Sequence, residues 1–257
     1  MCELFGMCAE KSFDCQSLLH TFFSHSDHHP NGWGLATFSS GTVWIEKEPI
    51  QASKSPYLKK RLEDKLEGKA LLAHIRYATI GHIEYENCHP FTKKDNFGQS
   101  WTLIHNGTIF DYPPLLPYQL HQLGETDSEG ILLYFVDKIN QLQKKLERKL
   151  DSKERYVLID TLISQMAPGN KLNLILYDGK RLYAHTNAAH SLYFKQENNA
   201  VVLATVPLDQ ESWQPLPFTS LCVFQDGHLV YQGKPHGAEY VANPLDMQYL
   251  FTTYSAL

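Results

Sequence analysis

The chain has 257 residues, 43% of them hydrophobic and 20% charged, which is ordinary for a soluble globular protein and enough for one large domain or two small ones. A net charge of -5 without any basic cluster argues against non-specific binding to nucleic acid, and apolar runs such as Ile131-Leu-Leu-Tyr-Phe-Val136 are far too short to span a bilayer. Five cysteines (Cys2, Cys8, Cys15, Cys88, Cys222), irregularly spaced, and an N-terminus without a basic region followed by an apolar core lead us to expect a reducing cytoplasm and no disulfide framework.

In chain order, residues 2–8 are short and mostly apolar and read as a buried strand. A helix is expected at about 15–24, where Leu18, Leu19, Phe22 and Phe23 fall at helical spacing. A polar loop leads into Gly32-Trp-Gly34 and a hairpin, with strands at 35–38 and 42–45 around Ser39-Ser-Gly41. A charged helix follows at roughly 55–67, then a strand at 69–77, then loop through 78–99. The strand 100–105 is expected to stop at the turn signal Asn106-Gly107. Pro113-Pro114 opens a short segment. Capping boxes at Thr126/Glu129 and Asp151/Glu154 start helices running to about 148 and to Pro168-Gly169. The last third is strand-like at 171–177, 181–185, 192–195, 200–205 and 221–225. Asp178-Gly179, Asn198-Asn199 and Asp226-Gly227 punctuate it as hairpin turns. Repeated hairpins with helices segregated from them predict one α+β domain of antiparallel sheets over 1–257.

Four stretches carry candidate chemistry. A cysteine directly after the initiator methionine is small enough for that methionine to be removed, leaving Cys2 with a thiol and a free α-amine. These titrate near ~8.5 and ~7.7–8, so a proton can pass between them at little cost near neutrality. The alternative is an ordinary buried thiol at a strand start. Arg76, at the end of a predicted strand, needs an anion; a carboxylate ligand suits its planar fork, and so does a structural ion pair. Asn106-Gly107 is either a turn or a pair of donors for a developing oxyanion. Asp127 is either a favourable acid in a first helical turn or the receptor of a ligand ammonium. Together these parts fit an α-amino acid with a side-chain carbonyl, and glutamine has all of those features.

The motifs Cys2-Glu-Leu-Phe-Gly, Asn31-Gly-Trp-Gly34, Ala73-His-Ile-Arg-Tyr-Ala-Thr79, Glu86-Asn-Cys-His-Pro-Phe91, His105-Asn-Gly107 and Gly124-Glu-Thr-Asp-Ser-Glu129 span about the first half of the chain. In order and spacing the sequence resembles the class II glutamine amidotransferases of the N-terminal-nucleophile (Ntn) hydrolase superfamily, closest to the single-domain ones that begin Met-Cys-Glu-Leu. The resemblance implies a four-layer αββα sandwich of two antiparallel sheets flanked by helices. It further implies Cys2 as nucleophile with its α-amine as base, and Asn106 with the Gly107 amide as oxyanion hole. Arg76 would take the glutamine α-carboxylate, Asp127 the α-ammonium, and Thr79 would lie beside the substrate. Two positions depart from many relatives: Ile80 stands where a His often follows the Thr, and His28-His-Pro-Asn-Gly32 replaces a loop that often carries an Arg. Relatives that make a product carry a second synthase domain, for which 257 residues leave no room.

Without Cys-x-x-Cys or His-Glu-x-x-His, neither a metal nor another cofactor is expected. His74 and His105 are expected to be hydrogen-bonded core residues, His89 to shape a loop, and Trp33 to pack near the site. The expected partner is glutamine or another γ-glutamyl small molecule, with no nucleic acid and no membrane. The alternatives are hydrolysis of a different γ-glutamyl compound, delivery of ammonia to a synthase on a separate chain, and a non-catalytic binding protein on the same fold.

Overall fold

Side-chain alternation along β1 (Glu3–Asp14) sets the plan of the fold. Leu4 and Cys8 point to one side and Phe5 and Met7 to the other, and both sides are buried. A strand buried on both faces belongs in the middle of a layered structure. In this computed structural model, which describes residues 2–243, β1 lies between β10 (Ala200–Ala204) and β4 (Glu67–Ile75). Met1 and residues 244–257, part of the single domain expected over 1–257, lie outside the described residues.

The first sheet runs β11 (Gln214–Pro215), β9 (Tyr193–Glu197), β10, β1, β4, β2 (Trp33–Ser39), β3 (Thr42–Glu48). The second runs β13 (His228–Gln232), β12 (Cys222–Gln225), β8 (Arg181–His185), β7 (Lys171–Tyr177), β6 (Ser100–Thr108), β5 (Phe91–Lys94). Neighbours pair antiparallel throughout. Leu4, Cys8 and Leu72 of the first sheet pack on Ile104, Ile175 and Ala184 of the second. The outer face of the first sheet is covered by α1 (Gln16–Ser24) and α2 (Pro56–Arg61), through Leu19, Phe22 and Leu58. The outer face of the second is covered by α3 (Asp127–Leu146) and α4 (Ser152–Met166), through Ile131, Phe135 and Ile163. The result is the four-layer αββα sandwich. Among the described residues no helix is long and apolar enough to cross a membrane.

Most elements lie where the hydrophobic pattern puts them, and the departures have local causes. The helix expected over 55–67 ends at Arg61, because past Leu62 only charged and polar residues follow until Leu66. The stretch expected to be loop contains β5, whose Phe91 pairs with Leu103 and packs under α3. Asn106-Gly107 makes no turn: β6 continues to Thr108, with Asn106 opposite Asn173 and Gly107 opposite Leu172. Pairing along a central strand outweighs the local turn preference. The Thr126 box is half formed. Its hydroxyl accepts from Glu129 N–H at 3.4 Å, but the Glu129 carboxylate accepts from the amides of Leu123 and Gly124, both at 2.9 Å. The Asp151/Glu154 box is complete.

Candidate active site

Strand alternation brings three polar side chains together at one end of the sandwich. On β1, Leu4 and Cys8 face the other sheet, so Cys2 shares their side. On β6, Ile104 faces inward and Asn106 follows it. On β7, Ile175 faces inward and Asn173 and Lys171 precede it. Cys2, Thr79, Asn106, Gly107 and Lys171 line one narrow cleft of about 20 Å³, the space of a single water.

Cys2 is half-buried, and the other four cysteines are buried. Its Sγ lies 3.3 Å from Tyr77 O and accepts from Tyr77 N–H at 3.3 Å, just beyond the end of the β1–β4 pairing at Glu3 and Ile75. Burial pushes the thiol up. The Tyr77 amide and the nearby cations of Arg76 and Lys171 pull the other way. Burial pushes Cys8, Cys15 and Cys222 up to about 12 and Cys88 to about 11.

Gly107 is dictated by space, since a Cβ there would lie 1.9 Å from the Lys171 carbonyl oxygen. Asn106 is buried, and its Oδ1 accepts from Lys171 Nζ at 3.4 Å. Lys171 had no part in the sequence expectations. The signal was present as a lysine and an asparagine alternating with Leu172 and Leu174 in a strand buried on both faces.

Arg76 follows β4 and is only 3% exposed. Its Nη1 donates to His82 O at 2.9 Å, and its Nη2 donates to Ile80 O at 2.9 Å and Gly81 O at 3.0 Å. The fork thus meets backbone carbonyls of the following loop, where the sequence led us to expect a carboxylate. Asn31 holds the other side of this loop, its Oδ1 accepting from Ala78 N–H at 3.0 Å and its own N–H donating to Arg76 O at 3.1 Å. Gly34, in the same motif, leaves room for the chain at His89, whose carbonyl oxygen would lie 1.9 Å from a Cβ. Asn87 and Glu125 fasten the far end: Glu125 Oε2 accepts from His82 N–H at 3.0 Å and Asn87 Oδ1 from Glu125 N–H at 2.7 Å. Thr79, half-buried, sits on the cleft side of this loop.

Asp127 opens α3. Its Oδ2 accepts from Ile109 N–H at 2.8 Å and its Oδ1 from Ser128 Oγ at 3.2 Å. It lines a separate, larger cavity of about 500 Å³ that also contains Ile80, Asp111 and Glu125. Phe110 borders both spaces and is stacked on Tyr240 at 6.0 Å between ring centres. The cleft therefore unites Cys2, Thr79, Asn106 and Gly107, with Asp127 in the adjoining cavity and Arg76 buried behind the loop.

His74, His89 and His105 are buried. His105 Nδ1 lies 3.0 Å from Ser128 Oγ, tying α3 to β6, and His74 Nε2 lies 2.7 Å from His89 Nδ1. Trp33 is buried, with Nε1 donating to Glu48 at 3.1 Å. Burial holds His74, His89 and His105 below the usual histidine range and brings His185 to about 3. The unfolded chain binds protons on these rings below ~6.5 while the folded chain does not, so stability is lost as pH falls through that value. Each ring costs up to about 2 kcal/mol at pH 5. Thermal melts between pH 8 and 5 are expected to show a steep fall below pH 6.5; a flat melting temperature contradicts this. Among the described residues no group of three or more His, Cys, Asp or Glu is arranged to hold a metal ion.

Comparison with known proteins gives three kinds of match. The family model described as glutamine amidotransferases class-II matches residues 1–196. An uncharacterized protein of Methanocaldococcus jannaschii is 28% identical over 261 residues, covering 91% of this chain and 72% of its own. The gamma-glutamyl-hercynylcysteine sulfoxide hydrolase of Mycolicibacterium smegmatis is 27% identical over 216 residues, covering 80% of this chain and 82% of its own. A solved Pseudomonas aeruginosa structure described as a predicted glutamine amidotransferase superposes with a TM-score of 0.63 at 19% identity, covering 89% of this chain and 99% of that one. The shared fold is the Ntn-type sandwich of two antiparallel sheets.

Proposed function

The chain belongs to the class II glutamine amidotransferases, and on that premise we propose that it hydrolyses the side-chain amide of glutamine through a γ-glutamyl thioester on Cys2, releasing glutamate and ammonia. The observation that carries this reading is the meeting of the Cys2 thiol with Asn106 and Gly107 between the two sheets.

In this mechanism Met1 is removed and the single domain of the mature chain begins at Cys2. The freed α-amine takes the thiol proton, and the thiolate attacks the amide carbon. Asn106 Nδ2–H and Gly107 N–H donate to the tetrahedral oxyanion. The α-ammonium gives its proton to the amide nitrogen, and collapse breaks the C–N bond so that this nitrogen leaves as ammonia. The neutral amine then takes a proton from water, the hydroxide attacks the thioester, and glutamate leaves as the C–S bond breaks and the thiol is reprotonated. Arg76 receives the α-carboxylate and Asp127 the α-ammonium, with Thr79 beside the chain between them. A cleft of about 20 Å³ admits a side-chain amide only after the Arg76–His82 loop or the Phe110–Tyr240 pair gives way.

Arg76→Ala is expected to raise KM for glutamine more than it lowers kcat. It should also cost stability, because the carbonyls of Ile80, Gly81 and His82 lose a charged donor worth about 1.5–3 kcal/mol per hydrogen bond. Urea melts and steady-state kinetics of the variant check both parts, and an unchanged KM removes Arg76 from substrate capture.

A second reading, hydrolysis of another γ-glutamyl compound, is favoured by the relative named gamma-glutamyl-hercynylcysteine sulfoxide hydrolase. The two are separated by measuring glutamate and ammonia released from glutamine beside a panel of γ-glutamyl amides, with and without cell extract. Glutamate and ammonia in equal amounts from glutamine support the main reading, and stimulation by extract points to an ammonia-accepting synthase. Release of another amine with glutamine inert supports the second reading, and release from none contradicts both.

A further inference from the structure

Lys171 is 3% exposed, opens β7 and lines the same cleft as Cys2. Its Nζ donates to Asn106 Oδ1 at 3.4 Å. An ammonium has three donors and no acceptor, so the amide end of Asn106 that faces it must be the carbonyl. That turns the Asn106 Nδ2–H₂ group away from Lys171.

We propose that Lys171 is the positioning residue of this site, fixing the Asn106 amide with its donors available to an oxyanion and setting a positive charge beside the Cys2 sulfur. The proposal rests on the amide-hydrolysis reading for its first half and on the local electrostatics of Cys2 for its second. A buried ammonium is costly unless it is compensated, and a strand buried on both faces would be filled more cheaply by an apolar residue. Burial brings Lys171 down to about 8, and its charge is favoured by the nearby Cys2 sulfur when that is ionised. By reciprocity the ammonium favours the thiolate. Among the described residues, ionisable groups that act on it are Cys2 before β1 and His105 on β6; Arg76 after β4 acts in turn on Cys2, and Asp127 at the start of α3 on His105. Of these, His105 is pushed by burial below the usual histidine range, with its Nε2 3.3 Å from the Lys171 carbonyl.

The test uses Lys171→Met, of similar length and without charge, and Lys171→Arg, which keeps the charge. Alkylation of Cys2 by iodoacetamide is followed from pH 5.5 to 9.5 and located by peptide mass, a readout that needs no γ-glutamyl substrate. K171M is expected to shift the Cys2 profile about one unit to higher pH, slowing alkylation about tenfold at pH 7, while K171R stays near the unmodified protein. The kcat of amide release should fall at least tenfold with KM little changed. Adding Asn106→Ala to K171M should cost less than the same change costs alone, since both act on one amide. Coincident alkylation profiles and unchanged kcat in K171M overturn the proposal. A shifted profile in a protein that turns over no γ-glutamyl amide keeps the electrostatic role and sinks the amidase reading instead. Should K171M fail to fold, Lys171→Gln carries the same comparison.

Discussion

Cys2→Ala is expected to reduce amide hydrolysis to background, a loss of kcat on the order of 10⁶-fold, comparable to deleting the nucleophile of other acyl-transfer enzymes. The expectation follows from where the sulfurs lie. Cys2 alone among the five cysteines is half-buried, and it is the one that lines the cleft with Asn106 and Gly107. The other four are buried, and burial holds their thiols at about 11 to 12, far from the ionised form. None of them can take over as nucleophile. The variant should fold, because Cys2 precedes β1 and its thiol meets the Tyr77 backbone outside the strand pairing. Single-turnover release of glutamate is the measurement, and a folded variant that keeps more than about a hundredth of the activity moves the nucleophile elsewhere.

Asn106→Ala is expected to lower kcat about 10²–10³-fold, corresponding to about 2.7–4 kcal/mol, with KM nearly unchanged. An oxyanion donor acts on charge that exists only in the transition state, so its loss appears in turnover and not in binding. The Gly107 amide remains as the second donor, which is why the loss stops short of that for the nucleophile. Asn106→Asp provides a sharper control. A carboxylate there still accepts from Lys171 Nζ, so packing is kept, but it has no N–H to offer an oxyanion. It should lose as much turnover as alanine. A variant whose KM rises by a comparable factor while kcat holds would reassign residue 106 to substrate binding.

How far the sequence could be read depends on what each signal measures. Period-2 and period-3.6 patterns report burial, and where burial decides an element the expectation held. The helix of Leu18, Leu19, Phe22 and Phe23 and the hairpin around Ser39-Ser-Gly41 are where those patterns put them. Turn preference reports only a few residues of backbone. It gave the right result at Asp226-Gly227, whose φ angles are 52° and 80°, and the wrong one at Asn106-Gly107, where β7 supplies a partner that local chemistry cannot foresee.

The site itself is legible unevenly. Cys2, Thr79, Asn106 and Gly107 were singled out by chemistry and motif, and they line one cleft. The surroundings of Arg76 were not foreseen, because a guanidinium can be satisfied by three carbonyls of its own loop as well as by a carboxylate, and nothing in the composition of Ile80-Gly-His82 announces that. Lys171 was missed for a related reason. A lysine at the start of a strand normally reads as solvated, and only the pairing of β7 with β6 turns it inward against Asn106. Both features depend on contacts between segments far apart in the chain.

The most direct measurement is peptide mass mapping of the protein after reaction with a diazoketone analogue of glutamine, whose ketone stands where the scissile carbonyl would be and whose diazomethyl carbon, in place of the amide nitrogen, alkylates the nucleophile. The account predicts one adduct per chain, on the sulfur of Cys2, in a protein that has lost Met1, with formation slowed by excess glutamine. An adduct on Cys8, Cys15, Cys88 or Cys222, or labelling of Cys2 in chains that keep their methionine, would contradict it.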